Sequence, residues 1–257
     1  MGGAALPQNE TIWGRNVVLS ALKAGRPLNK ILLSTGGRGR EVAAIREAAR
    51  AQGVPVEEVD RRRLDQLAGG GHHQGVLALA APRAYREVED LLARARAAGE
   101  DPLLVLLAHV EDPRNLGAIA RSAAAAGAHG LIIPGRRAAP ITAAADKAAA
   151  GALDFLPVAR VTNLARTLDE LKAAGLWSVG ADIDGEQVYF DADLSGPLVL
   201  VIGGEDKGLG VLLKRECDLT VRIPLLGPVP SLNAAVAASL LLYEVLRQRG
   251  VRSRAPS

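Results

Sequence analysis

Apolar positions in the first third of the chain switch between two spacings. Residues 16–22 carry Val17, Val18, Ala21 and Leu22 at helical intervals, and residues 30–33 form a short apolar run suited to a buried strand. Residues 40–52 read as an amphipathic helix closed by Gly53, a residue type favoured just past a helix end. A strand over 54–59 and a short helix over 63–67 follow. Gly69-Gly70-Gly71 then makes a flexible loop before a last strand at 76–80. This pattern predicts a small α/β unit. Residues 82–101 differ in kind, with alternating charges and a helical segment over 88–98 ended by Gly99, as in a linker with its own helix.

From Leu103 the pattern becomes strand, then helix, repeatedly. Strands are expected at 103–108, 130–134, 156–159, 176–181, 198–203 and 219–223, and helices at 116–126, 141–151, 164–174, 210–217 and 232–248. The strands are nearly unbroken apolar runs, which a parallel sheet needs when helices cover both faces. The expectation is a doubly wound α/β domain with ligands at the carboxyl ends of its strands. A (β/α)₈ barrel would need more units than are present, and no internal repeat is visible. The division is 1–81 for the N-terminal domain, 82–101 for the linker, 102–250 for the second domain and 251–257 for a tail.

Composition changes this picture little. Of 257 residues, 49% are apolar but only 3% aromatic, so Ala, Leu and Val fill the core. The single cysteine, Cys217, excludes an intramolecular disulfide and suits a reducing compartment. No apolar stretch approaches the roughly 18 residues of a membrane span. Residues 1–10 lack the basic-then-apolar layout of a secretory signal, so a cytoplasmic location is expected. Net charge is +3, yet residues 1–82 hold 11 Lys/Arg against 7 Asp/Glu. That excess clusters at Arg38, Arg40 and Arg61-Arg62-Arg63. It suits phosphate binding, and it also suits an ordinary solvated surface.

Candidate chemistry lies in three loops, each directly after a strand. Neither a G-x-G-x-x-G nor a P-loop pattern is present, no G-x-S-x-G elbow occurs, and the four histidines lack metal-ligand spacing, so no metal is expected. The first loop runs from His109 to Arg121. Asn115 is placed to cap the following helix, Gly117 permits close approach, and Arg121 is the one charge in the small, apolar stretch 116–128. The second, 203–210, is glycine-rich and carries Glu205 at the strand end. The third, 223–233, has three prolines and a glycine in seven residues, with Ser231 as the expected cap of the last helix.

Asn115–Arg121, Gly203–Glu205–Gly208 and Ser231–Leu232–Asn233 together resemble, in order and spacing, the three motifs of the SpoU (TrmH) family, which belongs to the SPOUT class of RNA 2′-O-ribose methyltransferases. The resemblance covers about 100–250. It extends to Trp13-Gly14-Arg15-Asn16-Val17-Val18 and His73-Gln74-Gly75-Val76, which look like the substrate-binding domain of bacterial members. It is nearest to the RlmB group, which modifies a guanosine in the peptidyl-transferase region of 23S ribosomal RNA. Asp206-Lys207 between Glu205 and Gly208, and Pro230 before Ser231, are departures that bear on loop shape.

The resemblance implies an α/β SPOUT domain with a parallel sheet and a deep trefoil knot. It implies also an N-terminal RNA-binding domain like small ribosomal proteins, and a homodimer through the knotted domain. S-adenosyl-L-methionine is the implied cofactor, held by Gly203, Glu205, Gly208, Ile223, Leu225, Ser231, Leu232 and Asn233. Arg121, Asn115, Glu205, Ser231 and Asn233 are the implied catalytic group. A guanidinium stays protonated, so Arg121 is read as binding the target phosphate and stabilising the developing alkoxide, with its role as a base left open. Arg15, Arg38, Arg40, Arg61, Arg62 and Arg114 are the candidates for RNA contact. Transfer RNA, or ribosomal RNA methylated by a resistance enzyme, are the alternative substrates.

Overall fold

A computed structural model describes residues 10–136, 139, 141–205 and 207–250 of the chain. The first residues, Asp206 and the expected tail at 251–257 lie outside the described residues.

The N-terminal domain runs β1 (Glu10–Trp13), α1 (Arg15–Lys23), β2 (Leu28–Ser34), α2 (Arg40–Ala51), β3 (Val56–Val59), α3 (Arg61–Ala68) and β4 (Val76–Ala80). Its sheet has the order β1-β4-β2-β3, with β2 and β3 parallel and the other pairs antiparallel. Alternate residues of β2 serve two cores. Ile31 and Leu33 pack with Val18, Leu22 and Ile45 of α1 and α2, while Leu32 packs with Leu64 of α3 and Leu77. β1 escaped the sequence reading because its four residues bury only Ile12. The third helix begins at Arg61 rather than 63, since Asp60 accepts the Arg62 N–H and fixes the start there.

The linker helix, α4 (Val88–Ala98), is packed rather than free. Leu91 and Leu92 join the core under β5 (Leu103–Ala108), and Glu87 with Asp90 closes a reciprocal cap at its start. The second domain continues α5 (Pro113–Ala125), β6 (Gly130–Pro134), α6 (Ala143–Ala149), a 3₁₀ turn (Ala152–Asp154), β7 (Val158–Val161), α7 (Leu164–Ala173), β8 (Trp177–Ala181), β9 (Gln187–Val188), β10 (Leu198–Gly203), α8 (Val211–Glu216), β11 (Leu219–Arg222) and α9 (Ala234–Gln248).

Its seven strands form one parallel sheet in the order β7-β6-β5-β10-β8-β11-β9. Leu103, Val105 and Leu107 face α5, α6 and α9, whereas Leu104, Leu106 and Ala108 face α4, α7 and α8. Helices on both faces are why these strands read as unbroken apolar runs. Two expected caps need correction. α5 starts at Pro113 under an Asp112 cap, leaving Asn115 inside its first turn. α9 starts at Ala234 under an Asn233 cap, so Ser231 lies in the loop.

Candidate active site

The three loops converge at the carboxyl end of the parallel sheet, where β5 and β10 lie side by side. Glycine makes the approach possible. A Cβ on Gly204 would stand 2.1 Å from the His109 carbonyl oxygen, and one on Gly203 would stand 2.2 Å from the Gly208 carbonyl carbon. The Gly208 N–H closes that turn on the Gly204 oxygen at 2.9 Å. His109, opposite, is held at φ +58°, a left-handed conformation sparsely used by residues with a side chain.

This contact brings polar side chains from all three loops onto Glu205. Its Oε1 accepts from Asn115 Nδ2 at 3.1 Å, from Asn233 Nδ2 at 2.5 Å and from the Ala234 N–H at 3.4 Å. Asn233 Nδ2 also donates to Asn115 Oδ1 at 2.9 Å, while Asn233 Oδ1 accepts the Ala235 N–H and so caps α9. One carboxylate oxygen therefore ties the start of α5, the loop after β10 and the start of α9 together. Gly117 serves the same corner from behind, since a Cβ there would lie 2.3 Å from the Ala145 carbonyl oxygen of α6.

Glu205 and Lys207 stand between two cavities. The larger, about 670 Å³, is lined by Gly203, Gly208, Ile223, Leu225, Ser231 and Leu232 as well as Glu205. Its volume and mixed lining suit a nucleoside-sized ligand with one charged end. Asn233 is not in its wall. Ala181 to Asp184 and Lys214 are, and the sequence reading missed them. Lys214 Nζ donates to Asp182 Oδ1 at 2.7 Å, and this bond holds the ammonium pKa above its ordinary value. Acidic residues directly after β8, at a strand's carboxyl end, were the signal available. The smaller cavity, about 170 Å³, opens on the other side among His109, Glu111, Asp112 and Asn115.

Arg121 is not part of this cluster. It is exposed on α5 and makes no hydrogen bond or ion pair with another described residue. It follows Ala118 by one turn, beside Ser122, whose hydroxyl meets that of Ser239 on α9 at 2.7 Å. Arg114, also exposed, folds back on Asp112 (Nε–Oδ2 3.1 Å, Nη2–Oδ2 3.0 Å), and their mutual bond lowers the carboxyl pKa and raises that of the guanidinium.

The remaining candidate arginines lie at one end of the N-terminal sheet. Arg38 and Arg40 follow β2, and Arg61 and Arg62 follow β3. The two strand ends are joined where Thr35 donates to the Val59 oxygen through both N–H and Oγ1. All four are exposed and have no salt bridge among the described residues. Arg15 is at the same end but committed to the fold, donating to the Gln74 oxygen and, at 3.4 Å, to Glu41.

Two family models match the chain. One is the SpoU rRNA Methylase family over residues 102–243, and the other is RNA 2′-O ribose methyltransferase substrate binding over 11–86. YacO of Bacillus subtilis (strain 168), assigned to the TrmH family of tRNA/rRNA methyltransferases, is 45% identical over 94% of this chain and 97% of its own. The SpoU methyltransferase AviRb from Streptomyces viridochromogenes, crystallised with AdoMet, superposes with a TM-score of 0.79 at 31% identity, over 94% of this chain and 91% of that one. An AdoMet-bound rRNA methyltransferase from Sinorhizobium meliloti gives 0.77 at 30% identity, over 93% and 87%. The TrmH/SpoU tRNA modifying enzyme of A. aeolicus gives 0.54 at 28% identity, covering 62% of this chain and 84% of its own.

Parallel sheet, converging loops and substrate domain define an S-adenosylmethionine-dependent RNA methyltransferase. The chain belongs to the SpoU (TrmH) family, whose members methylate ribose 2′-hydroxyls of RNA.

Proposed function

We propose that this enzyme methylates the 2′-hydroxyl of a guanosine in 23S ribosomal RNA, in the cytoplasm. The observation that carries the reading is the N-terminal domain. The rRNA methyltransferase from Sinorhizobium meliloti aligns over both domains of this chain, whereas the tRNA modifying enzyme of A. aeolicus covers only 62% of it. The exposed Arg38, Arg40, Arg61 and Arg62 at one sheet end suit the phosphates of a folded RNA. A domain of this kind, like a small ribosomal protein, would add a second grip on the substrate.

The larger cavity is proposed to hold S-adenosyl-L-methionine, with Gly203, Gly208, Ile223, Leu225 and Leu232 around the flat ring and Ser231 as a polar contact. The cofactor supplies a methyl group on a sulfonium, ready for in-line displacement. The chain's task is then to align and activate a weak nucleophile. Glu205, fixed by its donors, and Asn115 position the ribose from the smaller cavity. Asn233 holds them in place rather than touching the cofactor, and Arg121 binds the target phosphate and stabilises the developing alkoxide. The threading of 203–233 as a deep trefoil knot belongs to this reading.

A second copy of the chain is proposed to complete the site. α9 presents Val236 (47% exposed) and Tyr243 (55% exposed) beside Leu240, over a groove of about 700 Å³ that also includes Ala118. Arg121 follows the groove residue Ala118 by one turn of α5, so a partner seated there is proposed to bring the arginine to the subunit boundary.

Two measurements test the reading. Ribose methylation should be mapped across ribosomal and transfer RNA from cells with and without the gene. Loss of one guanosine mark in 23S RNA is expected, and loss confined to tRNA would overturn the target. Arg121→Ala should abolish turnover while S-adenosylmethionine binding persists, and near-parental activity in that variant would refute its role.

A further inference from the structure

The two domains meet through buried charge. Arg26, in the N-terminal domain, reaches Asp146 of α6 (Nη1–Oδ2 3.3 Å) and Asp154 of the 3₁₀ turn (Nη1–Oδ1 3.6 Å), with Glu10 at 2.5 Å behind it. Arg83, just past β4, bridges the same two carboxylates at 2.9 Å and 2.8 Å and also donates to the Leu153 carbonyl. The side chains of Asp154, Asp146, Arg26 and Arg83 are 1%, 4%, 7% and 13% exposed. Burial raises the Asp154 pKa, opposed chiefly by Arg83. Ser20 of α1 presses on Gly151 so closely that a Cβ there would lie 2.2 Å from it.

Such a network is a poor way to gain stability, because removing charges from water costs about what their attraction returns. What it supplies is direction. Two guanidiniums shared between two carboxylates admit one docking angle, where an apolar patch would tolerate several. The far side of the clamp leads to the active site. Asp146 follows Ala145, whose carbonyl is in backbone contact with Gly117, two residues from Asn115. The other side leads to the basic end of the N-terminal sheet. Arg26 and Ala81 mark the near end of β2 and β4, and Arg38 and Arg61 the far end, one seven-residue strand away, or roughly 20 Å.

We propose that Arg26, Arg83, Asp146 and Asp154 are positioning residues that hold the N-terminal domain as a rigid arm. RNA gripped at the far end of that arm is then presented to the catalytic loops in one geometry. The enzyme thereby selects substrates whose phosphates and target ribose match a fixed span. This inference rests on the reading of the N-terminal domain as the RNA-binding part.

The test uses the full-length protein with Cys217→Ser and spin labels at Glu47→Cys on α2 and Asp169→Cys on α7, both exposed. Two variants are compared with this parent. Asp146→Asn weakens the ion pairs with little change in shape, and Ser20→Trp wedges the interface while leaving every charge in place. Both should broaden the inter-domain distance distribution. Both should also raise KM for unmodified ribosomal RNA by about tenfold or more, with S-adenosylmethionine affinity and kcat within about twofold. A distribution as narrow as the parent's in both variants would overturn the clamp, as would unchanged KM in a variant whose distances had broadened. If the parent methylates no RNA, the functional reading fails instead.

Discussion

Glu205 concentrates three donors on one oxygen, and that arithmetic governs what its loss would do. The carboxylate is exposed, so the energetic cost to the fold is small, but Asn115 and Asn233 lose the acceptor that orients them. Glu205→Ala should lower turnover by about a hundredfold or more, with a melting temperature within a few degrees of the parent. Methyl incorporation and a thermal melt on the same sample check both. At this scale the residue types were legible while their duties were not. Asp112, Asn115, Ser231 and Asn233 can all cap a helix, and choosing among them needs the helix start. Pro113 offered that clue, because proline is favoured at the first helical position and so points to Asp112 as the cap. Nothing comparable marks Ala234, where Asn233 takes the cap and Ser231 lies in the loop before it.

Between elements, the decisive contacts are backbone against backbone. Gly204 has no positive φ, so its smallness is required by the His109 carbonyl alone. Gly204→Ala should cost the fold about 2 kcal/mol or more through overpacking and weaken cofactor binding, read by denaturant melts and calorimetry. A second element-level effect concerns pH. His129, before β6, is buried, and its Nδ1 accepts the Leu103 N–H at 3.1 Å, a bond only the neutral ring can make. Burial lowers its pKa, against the pull of Glu100. The unfolded ring therefore takes up a proton more readily, and stability falls as pH drops through about 6.5 toward the lower folded value. Melting temperature should decline between pH 7 and 5.5, and His129→Asn, which keeps an acceptor but cannot titrate, should flatten that slope. An equal slope in the variant would refute the assignment. Long strands and amphipathic helices were readable because each repeats its period several times. β1 and β9 were not, because four and two residues carry no period to read.

For the whole molecule, sheet order was beyond the sequence, since apolar runs of similar length are interchangeable on paper. Which helix faces stay uncovered was likewise invisible, because Val236, Leu240 and Tyr243 look like core in a sequence. If α9 is the subunit boundary, Leu240→Asp should raise the dimer dissociation constant by about a hundredfold or more. Sedimentation would show monomer, and methyl transfer would fall in parallel.

The sheet order also dictates a sequence of events during synthesis. Residues 10–80 contain every strand of the first sheet, so that domain can close while the rest is still being made. The second cannot follow suit. Its central strand β10 pairs with β5 on one side and β8 on the other, so β5 waits roughly a hundred residues for its inner neighbour. Until β10 emerges, Leu103 to Ala108 present an apolar strand with an unpaired edge, a hazard for aggregation in the nascent chain. The early, charged and already folded N-terminal domain docks on α6, which packs on α5 rather than on that edge, so the edge stays open until β10 itself arrives.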